Sequence, residues 1–348
     1  VRWGDCLSAQ GAHEAGMNAR RTALAWSVLL VALLGGAAAS LLVGHGDLSD
    51  PELRTTFLRL RGWRLCCSAL AGAALAGAGV LVQGLFRNPL ASPSILGTSA
   101  GASLGGIVVL LLWNTLLAEH LPRWLPSELV LPLGCLAGAW LALLVLLAII
   151  GRDASTVSVL LSGFILSSLF LSIGAFLSSI AQESWALGRA VVAFTLGGVE
   201  ASGARHVGLA LPMVLVGSLA AWGWSRHLDV LLTGEDEARS LGVDVALARR
   251  WLIAWTALLT GAAVAIGGNV AFVGLVVPHA LRPWVGVMHR RLFPAALVGG
   301  AAFVTWADVA TRAIPSVGQI PLGVVTGLVG APVFLVLLAR AAREGRLA

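Results

Sequence analysis

From Arg21 onward the chain alternates long apolar runs with short polar or proline-bearing breaks. The runs fall at about residues 22–43, 62–85, 94–113, 129–150, 155–181, 205–225, 249–268, 272–288, 293–313 and 321–343. A helix of about 20 apolar residues crosses a hydrocarbon core of roughly 30 Å, whereas a barrel strand would be half that length and alternate polar with apolar side chains. The runs match the first description, and the pattern predicts about ten membrane helices. The eighth is the weakest, because VVPHALRPW carries two prolines, a His and an Arg.

Composition agrees: 58% of the 348 residues are hydrophobic and 11% charged, with a mean hydropathy of +0.89. The fold class expected is therefore an all-α integral membrane protein. Basic residues near span ends are retained on the cytoplasmic side. With the N-terminus inside, that side receives Arg20, Arg21, Arg87, Arg152, Arg226, Arg239, Arg249, Arg250, Arg290, Arg291, Arg340, Arg343 and Arg346. Fewer fall outside: Arg54, Arg59, Arg61, Arg64, Arg123, Arg189, Arg205 and Arg312. Both termini are thus expected in the cytoplasm, with tryptophans such as Trp63, Trp113, Trp222 and Trp251 at the interfaces. The chain divides into a lead (1–21), one membrane domain (22–343) holding a polar segment at 227–250, and a tail (344–348). Residues 1–16 read as a disordered lead, with Met17 a plausible start. The run from Arg21 to Val43 is too long for a signal peptide's apolar core.

The 23 basic residues are all Arg, so a phosphate-cradling loop ending in Gly-Lys-Ser/Thr is excluded. If ATP drives this protein, another polypeptide binds it. Cys6, Cys66, Cys67 and Cys135 form no C-x-x-C pair and read as small buried hydrophobes. His279 stands alone beside Pro278 without a second ligand at helical spacing, so no metal site is expected, and no catalytic constellation is present.

Two further features bear on mechanism. GAALAGAGVLVQGLF from Gly72 echoes GAAVAIGGNVAFVGLV from Gly261. By the topology above the copies run in opposite directions, as in inverted-repeat transporters, although close helix packing also selects small residues. After the second run, GLFRNPLASPSILGTSAGAS places an Arg, an Asn and two prolines where a helix should end. Pro89 cannot donate a backbone hydrogen bond, so carbonyls near Asn88 are freed. Such a break either lines a cavity or closure point or simply ends a helix.

QGLFRNPLASPSILGTSAGASLG, GNVAFVGLVVPHALR, HRRLFPAALVGGAAFVTWADVATR and IPLGVVTGLVGAPVFLVLL occur in that order. Together they resemble the FecCD-type permeases of ABC importers for cobalamin, haem and ferric siderophores. The resemblance implies a homodimer of ten-helix subunits in a bacterial inner membrane. It also implies two cytoplasmic ATPase subunits holding ATP–Mg, a periplasmic binding protein, and no cofactor on this chain. Nucleic acid is not an expected partner. Haem is the first substrate expected, ferric siderophore the second and cobalamin the third. The rival is a secondary transporter driven by an ion gradient.

Site residues follow from the same resemblance. Arg61, Arg64 and Arg312 match positions that receive acidic residues of the binding protein, with Arg54 and Arg59 assisting; lipid phosphate or loop carboxylates are the alternative. Asp308 and Arg312 are spaced to pair within one helix. Asn88, Leu90, Ser155 and Thr156 match the cytoplasmic gate, although Ser155 or Thr156 could equally cap a helix. The stretch Arg226 to Trp251 looks like the segment that docks on the ATPase. Leu231, Leu232, Ala238 and Leu241 are expected to form an apolar ridge there, and Gly234, Arg239 and Gly242 to shape it. Glu235, Asp236 and Glu237 would start a short helix, where negative charge suits the helix dipole. Serines 162, 167, 168, 172, 178 and 179 on the fifth run could line a mildly polar path or bond to their own backbone.

Overall fold

The computed structural model describes residues 3–44, 50–113, 122, 125–150, 156–200, 203–313 and 320–343. The described residues form thirteen α-helices and two short 3-10 turns. The helices are α1 (Trp3–Leu42), α2 (Pro51–Leu85), α3 (Thr98–Leu112), α4 (Val130–Ile149), α5 (Thr156–Ala181), α6 (Trp185–Leu196) and α7 (Ala204–Gly223). There follow α8 (Ser225–Leu231), α9 (Glu235–Ser240), α10 (Val245–Gly267), α11 (Val273–Val285), α12 (His289–Ala313) and α13 (Leu322–Arg343).

Among the described residues, seven helices are long and apolar enough to cross a membrane: α1, α2, α4, α5, α7, α10 and α12. Three more, α3, α6 and α13, are shorter apolar helices. The differences from the hydropathy reading have local causes. Helix α2 starts eleven residues before its apolar run, because Pro51 sits in its first turn and Asp50 Oδ1 accepts from the Glu52 amide at 3.0 Å. Helix α3 starts at Thr98 rather than near residue 94, because Pro93–Leu96 forms a 3-10 turn ended by Gly97 at φ +80°. The lead expected to be disordered continues α1 back to Trp3. Helix α6 was not foreseen, its twelve residues being too few for a span. The weak eighth run does form a helix, α11, with Pro278 and Pro283 inside it.

Helices α2, α10 and α12 are the most buried of the seven, while α1 and α5 are the least. Water drives no association between apolar helices inside lipid, so close backbone approach through small residues holds them together. Helices α2 and α12 lie antiparallel in one steady register. Arg64 faces Asp308, Ser68 Oγ lies 3.4 Å from Thr305 Oγ1, and Gly72 opposes Gly300. A methyl group on Gly72 would collide with the Gly300 carbonyl oxygen. Helices α3 and α4 repeat the device, Gly101 against Gly138 and Gly105 against Gly134. Helix α11 meets α2 through Gly274 and Gly79.

Candidate functional site

At one end of the bundle the last turn of α1, the first half of α2 and the last turns of α12 meet. Arg61 donates from Nη1 to the carbonyls of Leu41 (2.9 Å) and Leu42 (3.1 Å), and from Nη2 to that of Gly44 (3.1 Å). These are the carbonyls that a helix C-terminus leaves without partners. Arg312 does the same from the other side, donating to the Val43 carbonyl at 2.8 Å and to Ser40. Its second partner is Asp308 Oδ2 at 2.8 Å, the expected pair within one helix. Asp308, 0% exposed, also receives Arg64, whose Nη2 lies 2.7 Å from Oδ1. One buried carboxylate therefore holds two guanidinium groups from two helices.

The three arginines expected to dock a binding protein thus converge, but their donors point inward, and Arg61 is only 6% exposed. Arg54 and Arg59, on the first turns of α2, are exposed. Glu200, between α6 and α7, lies 3.8 Å from Arg64 Nη2. Burial raises its carboxyl pKa above the usual range, and the Asp308 charge adds to this against the pull of Arg64.

Two irregular segments interrupt the bundle deeper in. The first follows α2: Arg87 takes φ +48°, and Asn88 Oδ1 accepts from the Leu90 amide at 2.9 Å in a tight turn. The second follows α10, where Phe272 takes φ +65° before α11. Left-handed backbone at a Phe costs strain that only the surrounding packing sustains. The two segments share a cavity of about 260 Å³ whose polar lining includes Ser92, Ser94, Ser99 and Asn269. Of the expected gate residues, Asn88 is exposed and Leu90 half-buried. Ser155 lies outside the described residues, and Thr156 is described only as the first residue of α5. Of the α5 serines, Ser167, Ser168 and Ser178 donate to carbonyls four residues back, and Ser167 also reaches the Ser94 carbonyl at 2.9 Å.

At the opposite end from the arginines, the polar segment folds as α8 and α9. Gly234 at φ +133° precedes α9, and Glu235, Asp236 and Glu237 occupy its first turn as expected. The expected single ridge is divided. Leu231 and Ala238 turn inward and belong to the same buried core cluster as Val245, Ala248 and Leu252, and Ala238 is 0% exposed. Leu232 and Leu241 stay outside, Leu241 at 68%. The cause is the short helix itself, whose six residues have one inner face, and Ala238 occupies it. Gly242, at φ +84°, turns the chain toward α10. Arg239 pairs with Asp236 at 2.9 Å on the surface, while Glu235 reaches Arg249 on α10 at 2.7 Å.

Several polar residues with clear positions escaped the sequence reading. Gln83 near the end of α2 donates to the carbonyls of Gly274 and Leu275 and accepts from Arg282 at 2.8 Å. A lone polar side chain in an apolar run was its only signal. Asp229 and His289 pair at 2.8 Å across sixty positions, a contact with no local signature. Burial pushes the Asp229 carboxyl up, but hydrogen bonds from the His289 side chain and backbone outweigh it and hold the pKa below the ordinary value. Its stabilising contribution is therefore complete above the unfolded value near pH 4 and is lost as the pH falls through the lower folded value. Of the cysteines, Cys67 and Cys135 are buried as expected, whereas Cys66 is exposed.

Residues 38–340 match the FecCD transport family. The cobalamin import system permease protein BtuC of Halobacterium salinarum is 38% identical over 279 residues, 79% of this chain and 71% of that protein. The Fe(3+) dicitrate transport system permease protein FecD of Escherichia coli is 36% identical over 277 residues, 80% and 83% of the two chains. A solved structure described as an inward-facing conformation of a metal-chelate type ABC transporter superposes with a TM-score of 0.80 at 28% identity. It covers 91% of this chain and 99% of that one.

Proposed function

Because the chain belongs to the FecCD transport family, we propose that it is the membrane permease of an ATP-driven importer that brings a metal chelate into the cell. It is a permease subunit like these relatives and not itself an enzyme. The observation that carries the reading is the family match over residues 38–340, joined to relatives named for cobalamin and ferric dicitrate import. Two cytoplasmic ATPase subunits holding ATP–Mg and a periplasmic binding protein complete the machine. Both termini then face the cytoplasm in a bacterial inner membrane, and ten spans require α3, α11 and α13 to count beside the seven long helices.

A second copy of the chain is the partner we assign to the open face of α5, where Val157, Leu161, Phe164, Ile165 and Phe176 are exposed. Between the two copies the chelate would pass by alternating access. Asn88, Leu90, Ser155 and Thr156 serve as its cytoplasmic gate, and the Gly72 and Gly261 runs as its inverted halves. Haem leads the substrates to be tested on the charge-poor α5, with ferric siderophore and cobalamin beside it. Docking of the binding protein falls to the arginine end. There Arg61, Arg64 and Arg312 fix the helix ends, and Arg54 and Arg59 offer the exposed charge.

Leu241, with Leu232, presents the apolar contact for the ATPase. Leu241→Asp is expected to leave assembly intact and to cut uptake per ATP about tenfold, a penalty of about 1.4 kcal/mol. Ala238→Asp should instead prevent folding, because it buries an unpaired carboxylate. Uptake by the two variants, compared with recovery of complex on size exclusion, separates the cases.

The decisive experiment reconstitutes the chain with its partners in vesicles containing ATP. Haem, a ferric siderophore and cobalamin are then screened for accumulation. Uptake that needs ATP and survives an ionophore is the expected result. Uptake by the chain alone, abolished by the ionophore, would establish the gradient-driven rival.

A further inference from the structure

The segment assigned to the ATPase is fastened to the start of α12 through one carboxylate. Asp229 of α8 accepts at Oδ1 from the backbone amide of His289 at 2.7 Å, and the same oxygen lies 2.8 Å from His289 Nδ1. The amide is one of the donors that the start of α12 leaves without a partner in its own helix. The imidazole is 2% exposed. Its far side rests on α2, where the ring lies so close to Gly84 that a methyl group there would strike Nε2. Trp222, at the end of α7, adds a hydrogen bond to the Arg290 carbonyl at 3.2 Å. The first turn of α12 is therefore held by α8 on one side and α2 on the other. From there α12 runs along α2 without change of register to the Arg64–Asp308 pair at the opposite end.

We propose that Asp229 and His289 are positioning residues for transport: they keep α8 and α12 together as one moving body, so that displacement of the α8–α9 segment is delivered to α12 and α2. The inference rests on the reading of the chain as an ATP-driven permease. Its physical basis is that the clasp has no slack. The imidazole is buried and walled by a glycine, so α8 cannot carry Asp229 away from α12 without leaving both the His289 ring nitrogen and the helix amide unpaired. Close-packed contacts of this kind transmit displacement and resist gradual deformation.

The test uses the whole reconstituted complex. Asp229→Ala is expected to lower chelate uptake per ATP at least tenfold while basal ATP hydrolysis stays within twofold. Asp229→Asn, whose amide oxygen can still accept both hydrogen bonds, should restore coupling to within twofold of the unaltered protein. As a second arm, Asp229→Cys with His289→Cys is made with Cys6→Ser and Cys66→Ser. Reduced, the pair lacks the clasp and should take up chelate as poorly as Asp229→Ala; oxidation to the disulfide should restore uptake, since the joined parts then move together. Normal coupling in Asp229→Ala would overturn the proposal, as would uptake by the cysteine pair that is already normal when reduced or that fails to rise on oxidation. The cysteine pair decides the matter should Asp229→Ala not assemble. Absence of ATP-driven uptake by the unaltered complex would count instead against the functional reading.

Discussion

Asp308→Asn is expected to destabilise the folded chain by about 3–5 kcal/mol, the range found when one partner of a buried ion pair is removed. The carboxylate is completely buried and is shared by Arg64 and Arg312. An asparagine keeps an acceptor oxygen but no charge, so two guanidinium groups are left in a poorly solvated place with their neutralising partner gone. Arg312 would keep its bonds to the Ser40 and Val43 carbonyls, which is why the loss stops short of complete unfolding in every condition. The measurement is the thermal unfolding midpoint in detergent. An unchanged midpoint would show that the cluster does not hold α2 to α12. A second variant sharpens the point: Asp308→Leu combined with Arg64→Leu and Arg312→Leu removes the charges together and should recover much of the loss.

Gly72→Leu is expected to abolish recovery of folded protein. The position faces the Gly300 carbonyl at a separation that leaves no room even for a methyl group. The side chain would drive α2 and α12 apart along the register that also carries Ser68 to Thr305 and Arg64 to Asp308. Gly72→Ala, the smallest step, should cost about 1–3 kcal/mol by overpacking. Gly62 is the matched control on the same helix, since a methyl group there meets nothing within 4 Å. Gly62→Ala should be neutral or gain up to about 1 kcal/mol of helix propensity. Fluorescence-detected size exclusion before and after heating reads all three variants.

These two expectations mark where sequence reading reaches its limit. Glycine at 72 and 300 is visible in the chain, but glycine in an apolar run is equally consistent with an inner face and a lipid face. The partner alone decides which, and here each has the other as its partner. The Asp308 and Arg312 pair was legible because a four-residue spacing on a helix is a local relation. The addition of Arg64, 244 positions away, was not. The same distinction explains the α8–α9 segment. Its polar composition, the turn at Gly234 and the acidic first turn were all local and came out as expected. Which of its apolar residues faced inward depended on the rest of the bundle: Leu231 and Ala238 are buried in the core, while Leu232 and Leu241 are exposed.

By itself the sequence determined that this is a helical membrane protein, roughly where most of its apolar helices lie, and which family its motifs resemble. Each of these depends on a property summed along a short stretch of chain: apolar length, turn chemistry, or ordered motifs. Only the tertiary structure decided that the three arginines point into the bundle, that Asp229 clasps His289, and that α2 and α12 share one register from end to end. Those facts depend on pairs of side chains far apart in sequence. Their energies come from the desolvation and contact that arise only when the helices have met.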